Sequence, residues 1–208
     1  KTAKGRSKEN RFLVESRKLV VELLYSDFDV EYILINEEKK ESVLNDIEKF
    51  GKRFFDSDRK SCSDRKINFK SEVGFKIEVG SERKVNFNNR IILLNGDLFS
   101  KLSGMENPDG IIAVVNGKIG KKLDNYEKIL INKKNSNEKN LRLLILDKLQ
   151  DSGNIGTILR SAEAFGFDSV IGINCVDYEN EKLLRASMGA AFRLNLYSSD
   201  ANSVIEWI

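Results

Sequence analysis

Arg160 and Asn154 are the residues whose types and places could do chemistry. They lie in the run 141–172, which reads as strand, tight loop, helix, glycine stop and second strand, with polar groups gathered where the first strand hands over to the helix. Open α/β sheets place their ligands at such a junction. Asn154 falls at or beside the helix cap, where its side chain either accepts a backbone N–H or holds a neighbouring group at the sheet edge. Ile155, Ile158, Leu159, Ala162 and Phe165 form one apolar stripe, and Arg160 projects away from it. As a helix over 154–165, the segment puts this cation within two turns of the N-terminus, where it is electrostatically disfavoured. A bound phosphate reverses that cost, because the helix end, backbone N–H groups and guanidinium all favour an anion. An ordinary solvated helix arginine is the plain alternative, with Glu163 as its local ion-pair partner. Arginine is too basic to take up a proton at neutral pH, so such a site grips an anion or polarises a hydroxyl.

Composition narrows the field. The 208 residues contain no histidine, which removes His-based acid–base catalysis, Ser-His and Cys-His nucleophile pairs and nearly all zinc enzymes. No metal site is expected. Cys62 and Cys175 stand far apart and read as reduced thiols, which suggests a cytoplasmic protein without a disulfide framework. No apolar run approaches the ~20 residues that span a bilayer, so no membrane association is expected. The net charge of +3 is weakly basic. Lys1, Lys4, Arg6, Lys8, Arg11, Arg17 and Lys18 nevertheless crowd the start of the chain against Glu9 and Glu15. Such an arm either meets a phosphate backbone or is a solvated terminus. Gly153 and Gly156 do not complete Gly-x-Gly-x-x-Gly, which argues against a nicotinamide enzyme.

The elements that must position these residues follow from periodicity. Apolar residues at mixed three- and four-residue spacing predict an amphipathic helix over 11–25. Val30–Ile35 reads as a strand, and Ser42 as the cap of a helix over 43–50 that stops at Gly51. Residues 56–89 are polar and charged, with alternating pieces at 66–70 and 74–79, and read as an inserted β-hairpin or mobile loop. Ile91–Leu94, a short helix around Leu98–Leu102 and the buried strand Gly110–Val115 resume regular structure. Residues 116–140, rich in Lys, Asn and Gly, predict a linker with one helical turn near Tyr126–Ile131. From Leu141 the pattern alternates: strands 141–146, 169–173 and 193–197, helices 154–165 and 179–187, and a helix start at 202–208. This predicts an α/β fold with a parallel sheet and right-handed crossovers.

Asp147, Asp151, Asn154, Gly156, Arg160, Ala162, Phe165 and Gly166 fill the pattern Asp-x-x-x-Asp-x-x-Asn-x-Gly-x-x-x-Arg-x-Ala-x-x-Phe-Gly. The run resembles the first signature motif of the SpoU/TrmH family of RNA ribose 2'-O-methyltransferases, in the SPOUT superfamily. Ser152 departs from it, standing where many members have Pro. Leu184–Arg193 resembles the family's Arg-Ala-Ser-x-Gly-Ala segment, which also reads as a helix end closed by Gly189. Arg11–Ser16 is similar to its Phe-x-Val-Glu-Gly segment, with Ser16 in place of Gly, and Asn107–Val115 to its Pro-x-Gly-Ile-x-Ala-Val strand.

The resemblance implies a substrate-binding domain over 1–115, built as a ribosomal-protein-like α/β sandwich. A linker over 116–140 and the first part of a SPOUT (α/β knot) domain over 141–208, incomplete here, would follow. It implies S-adenosyl-L-methionine (AdoMet) as methyl donor, rRNA or tRNA as substrate, and a homodimer formed through the carboxyl-terminal domain. Arg160 and Asn154 take the catalytic places, and Arg160, Arg185 and Ser187 those that bind RNA, while Lys8 and Arg11 of the basic arm are the candidates from charge for binding its phosphates. The cofactor is expected in segments beyond Ile208, since neither Gly-x-Glu-Gly nor the family's final Ser-Leu-Asn occurs here, and the 208 residues alone are expected to be inactive. Two alternatives stay open: a non-catalytic RNA-binding or assembly protein on the same scaffold, and an unrelated doubly wound small-molecule enzyme.

Overall fold

A computed structural model describes residues 2–56, 65–69, 75–79, 83–86, 90–122 and 141–207. The chain divides into two compact units, with the division between Gly117 and Lys118 and the few residues of Thr2–Gly5 grouped with the second.

The described chain opens with the short helix α1 (Ala3–Glu9), whose residues from Arg6 onward fall in the first unit. The helix predicted over 11–25 is instead a strand, β1 (Arg11–Glu15), followed by α2 (Arg17–Leu24). Phe12 and Val14 alternate into the core, which is strand burial, while Leu19, Val20, Leu23 and Leu24 form the helical face. The break between them is Ser16, at φ 107°, whose hydroxyl accepts the Leu19 N–H and caps α2. That left-handed backbone favours glycine, which accounts for Gly at this place in the pattern that Arg11–Ser16 resembles. After β2 (Asp29–Asn36) and a 3₁₀ turn, α3 runs Lys40–Asp56. It continues through Gly51, so Gly51 is no stop and Ser42 is no cap. Ser42 lies inside the first turn, and its hydroxyl donates to Lys39 O.

Where a hairpin or loop is predicted over 56–89, the described residues after Asp56 form a three-stranded antiparallel sheet: β3 (Arg65–Phe69), β4 (Phe75–Val79) and β5 (Arg83–Asn86). β6 (Ile91–Leu94), α4 (Gly96–Leu102) and β7 (Ile111–Asn116) complete the unit. Its main sheet has the order β1–β7–β2–β6, with β7 antiparallel to both neighbours and β6 parallel to β2. Arg17 ties the elements together: it donates to Asp109 O, Ser42 O and Ser42 Oγ, and pairs with Asp46 at 2.5 Å. Arg17→Ala should therefore lower stability by about 2 kcal/mol, read as a drop in the urea midpoint. An unchanged midpoint would mean that these bonds contribute nothing net.

Where composition suggested a linker over 116–140, Asn116 closes β7 and β8 (Lys121–Lys122) joins the second unit's sheet; the predicted turn near 126–131 lies outside the described residues. That sheet is parallel, in the order β8–β11–β10–β9, from β9 (Leu143–Asp147), β10 (Ser169–Ile173) and β11 (Asn195–Ser199). The helices are α5 (Ser152–Ala164), α6 (Glu181–Ser187) and α7 (Ala201–Trp207). Each βα alternation expected from periodicity is present, with boundaries shifted by at most two residues. α7 puts Val204 onto Ile171, Ile173 and Tyr197. Buried Glu179 accepts the backbone N–H groups of Ile119 (2.6 Å) and Gly120 (2.9 Å), holding the approach to β8. No helix among the described residues is long and apolar enough to cross a membrane.

Candidate active site

The β9–α5 junction is built by its cap. Asp151, not Asn154, is the N-cap: its carboxylate accepts the Asn154 N–H at 2.7 Å and pairs with Lys182 Nζ at 3.1 Å. Ser152 is thus the first helical residue. Proline costs nothing there, because the N–H lacks an intrahelical partner in any case, so Ser152 in place of Pro leaves the turn intact. The Asn154 backbone bond, reinforced by Lys182, holds the Asp151 carboxyl below its usual range. Its folded pKa is depressed, so its stabilisation is present above the unfolded value of about 3.9 and is lost as pH falls through the folded value. Asp151→Asn should therefore lose less stability than the native protein between pH 6 and pH 3, as compared by urea unfolding. An equal loss in both would remove Asp151 as a contributor.

With the cap supplied by Asp151, the Asn154 side chain is not needed at the helix end. Asn154 is exposed, and its amide has no partner among the described residues. The same helix face carries Thr157, Arg160 and Ser161. Thr157 donates back to Gly153 O at 3.0 Å and Ser161 to Thr157 O at 3.3 Å, so both hydroxyls are occupied within the helix. Asn154 and Arg160 are what this face leaves open to a ligand.

Arg160 is exposed and makes no hydrogen bond or ion pair among the described residues. The helix begins two residues earlier than periodicity predicted, which carries Arg160 into the third turn and beyond the reach of the helix dipole. Its availability thus rests on exposure and an unfilled guanidinium. The expected Glu163 partner is taken elsewhere: Arg193 holds it with Nε to Oε1 at 2.5 Å and Nη2 to Oε2 at 3.0 Å. Glu163 and Arg193 are thirty positions apart, and nothing in the spacing signals the pair. At the far end, Gly166 at φ 70° stops α5, with its N–H to Glu163 O and the Phe167 N–H to Ala162 O. Phe165 stays 72% exposed, so it does not extend the apolar stripe into the core.

The other sequence-indicated residues divide. Arg185, on α6, has its Nη1 enclosed without an acceptor among the described residues, an orphan donor that calls for an acceptor from outside them. Ser187 is 1% exposed and donates to Leu184 O; it packs α6 and is not presented to a substrate. α6 ends on Met188 in the left-handed region ahead of Gly189, so Gly189 alone does not close it. In the first unit, Lys8 is exposed on α1. Arg11 is on β1, where Nη2 donates to Glu31 at 2.8 Å and Nε pairs with it at 2.7 Å, so its charge is already countered. Gln150 Nε2 donates to Asn174 O at 2.6 Å, interlocking the loops after β9 and β10. Among the described residues no His/Cys/Asp/Glu cluster could hold a metal.

Known proteins share this architecture. The family described as MRM3-like substrate binding domain matches residues 1–113, and the SpoU rRNA Methylase family matches residues 142–207. The 23S rRNA (guanosine(2553)-2'-O)-methyltransferase RlmP of Bacillus subtilis is 27% identical over 206 residues, 99% of this chain and 61% of that protein. The mitochondrial rRNA methyltransferase 3 of Homo sapiens is 47% identical over 66 residues, 31% of this chain and 14% of that protein. Among solved structures, the SpoU methyltransferase AviRb from Streptomyces viridochromogenes, in complex with AdoMet, superposes with a TM-score of 0.63 at 19% identity, covering 100% of this chain and 63% of that one. The chain thus spans less than two thirds of each of these relatives. The chain therefore belongs to the family of the MRM3-like substrate binding domain, which matches more than half of it, and its carboxyl-terminal part matches the SpoU rRNA Methylase family, while the likeness to AviRb shows the fold.

Proposed function

We propose that the protein methylates a ribose 2'-hydroxyl of rRNA or tRNA, with AdoMet as donor. The observation that carries this is an exposed Arg160 with no partner among the described residues, in the third turn of α5, the helix whose first turn presents an uncommitted Asn154 at the carboxyl edge of a parallel sheet. A sulfonium donor is already a strong electrophile, so the chain has to align the acceptor oxygen and favour its nucleophilic form. Arg160 grips the RNA phosphate or polarises the 2'-hydroxyl, and the proton leaves to phosphate or water. Asn154 orients the neighbouring ribose through its amide. Alignment of this kind supplies much of a barrier reduction.

The described residues at this edge suit the RNA and not the cofactor. Arg160 and Lys182 are cations that repel a sulfonium, and Asp151 is already neutralised by Lys182. The first unit, with Lys8 on α1, would bind the RNA through its phosphates. The protein would work in the cytoplasm, as the free Cys175 suits, and as a homodimer through the carboxyl-terminal unit, for which the exposed Phe165 offers apolar surface.

The test is transfer of a labelled methyl group from AdoMet to rRNA and tRNA by the native protein. Alkaline hydrolysis follows, because a methylated ribose blocks cleavage at its own phosphodiester. Label recovered in an alkali-resistant dinucleotide is the expected result. Label on a base, or none in either RNA, would overturn the proposal.

A further inference from the structure

Arg193 follows the 3₁₀ turn Ala190–Phe192 and reaches across to α5, where it occupies both carboxylate oxygens of Glu163. Glu163 is also three positions beyond Arg160 on the same helix face edge, the spacing at which a carboxylate and a guanidinium pair. Two cations thus stand within reach of one carboxylate, and the structure gives it wholly to one of them. Fork-to-fork geometry explains the preference, since two parallel N–H···O bonds outcompete a single contact between neighbouring turns.

We propose that Arg193 is a positioning residue for the methyl-transfer site: it sequesters the Glu163 carboxylate so that Arg160 keeps its positive charge for RNA phosphate. This rests on the assignment of Arg160 to RNA under Proposed function. A half-exposed ion pair contributes little to stability by itself, so holding α5 to the turn before β11 is a weak reason for so complete a clamp. Without Arg193, Glu163 is left beside Arg160 and its negative charge lies where the phosphate must approach. With both charges removed, Arg160 is uncommitted again.

The experiment compares the native protein with Arg193→Ala, Arg160→Ala and the double variant Glu163→Gln/Arg193→Ala, measuring methyl transfer to RNA, RNA affinity and unfolding midpoint. Arg193→Ala should lose roughly three- to tenfold in RNA affinity and turnover, and the loss should shrink as salt is raised. The double variant should return to within about twofold of native, although it lacks the ion pair as fully as the single variant does. A purely structural role predicts no such recovery. A double variant as impaired as Arg193→Ala, or an Arg193→Ala protein with native RNA affinity, overturns the proposal. If Arg193→Ala lowers the unfolding midpoint, Arg193→Met, which keeps the aliphatic stem, replaces it in both variants. Should the native protein transfer no methyl group, the Proposed function fails, and the inference is then decided by the NMR signal of the Arg160 Nε–H. That signal should move in Arg193→Ala and return in the double variant; a signal unmoved in all of them overturns it.

Discussion

Arg160→Ala should cut methyl transfer by at least about a hundredfold while leaving the unfolding midpoint where it is. Removing one preorganised donor from a charge-stabilising site costs on the order of 10²–10³ in rate, and no other described group on this helix face can replace it. Asn154 is neutral, and the hydroxyls of Thr157 and Ser161 are turned back into the helix. The midpoint is spared because Arg160 is exposed and bonded to nothing described. Kinetics on ribosomal RNA beside a thermal melt separate the two effects. Native turnover in the Ala variant would remove Arg160 from the site, and a collapsed melt would show that it holds the fold.

Gly156→Ala should do the reverse, damaging the fold before any chemistry is reached. A methyl group at this position would lie 2.5 Å from Ala186 Cβ, 2.7 Å from Leu183 O and 2.9 Å from Ser187 N. Two of those atoms are backbone, so no side-chain rotation relieves the clash, and α5 and α6 must move apart. Overpacking of this kind costs about 3 kcal/mol, which for a unit of this size lowers the melting midpoint by on the order of 10 °C. A stable Gly156→Ala protein would mean that the two helices slide more easily than close packing allows.

Gly156 also shows what kind of information was legible in the chain. It fills a motif place for a packing reason, as Gly166 does for a backbone reason at φ 70°, so a pattern read as catalytic is partly the signature of a helix that must lie against its neighbour and then stop. The βα alternation from Leu141 onward was readable because strands buried on both faces, such as Ser169–Ile173, are continuous apolar runs between polar turns. Residues 11–25 depart from the predicted single helix because Phe12 and Val14 satisfy strand alternation while Leu19 to Leu24 satisfy a helix, and the break at Ser16 is a matter of φ, which composition does not show. The sequence places Asn154 at or beside the cap, and the hydrogen bond puts the cap on Asp151; both are good caps, and composition does not tell them apart. The partner of Glu163 was out of reach altogether. Periodicity sees neighbours within a few residues, and Arg193 arrives through the tertiary fold.

The strand order of the first unit also bears on how the protein is made. β7 lies between β1 and β2, yet it is the last strand of that sheet to leave the ribosome. β1 and β2 must wait, unpaired with each other, while residues 37–110 are translated, several seconds at ordinary elongation rates. In that interval the local hairpins β3–β4 and β4–β5 can close on the microsecond scale, so the insertion is free to fold before the sheet that carries it. Its length also enters the final closure only logarithmically, so changes of length around β3–β5 come at little cost to the folding of the first unit.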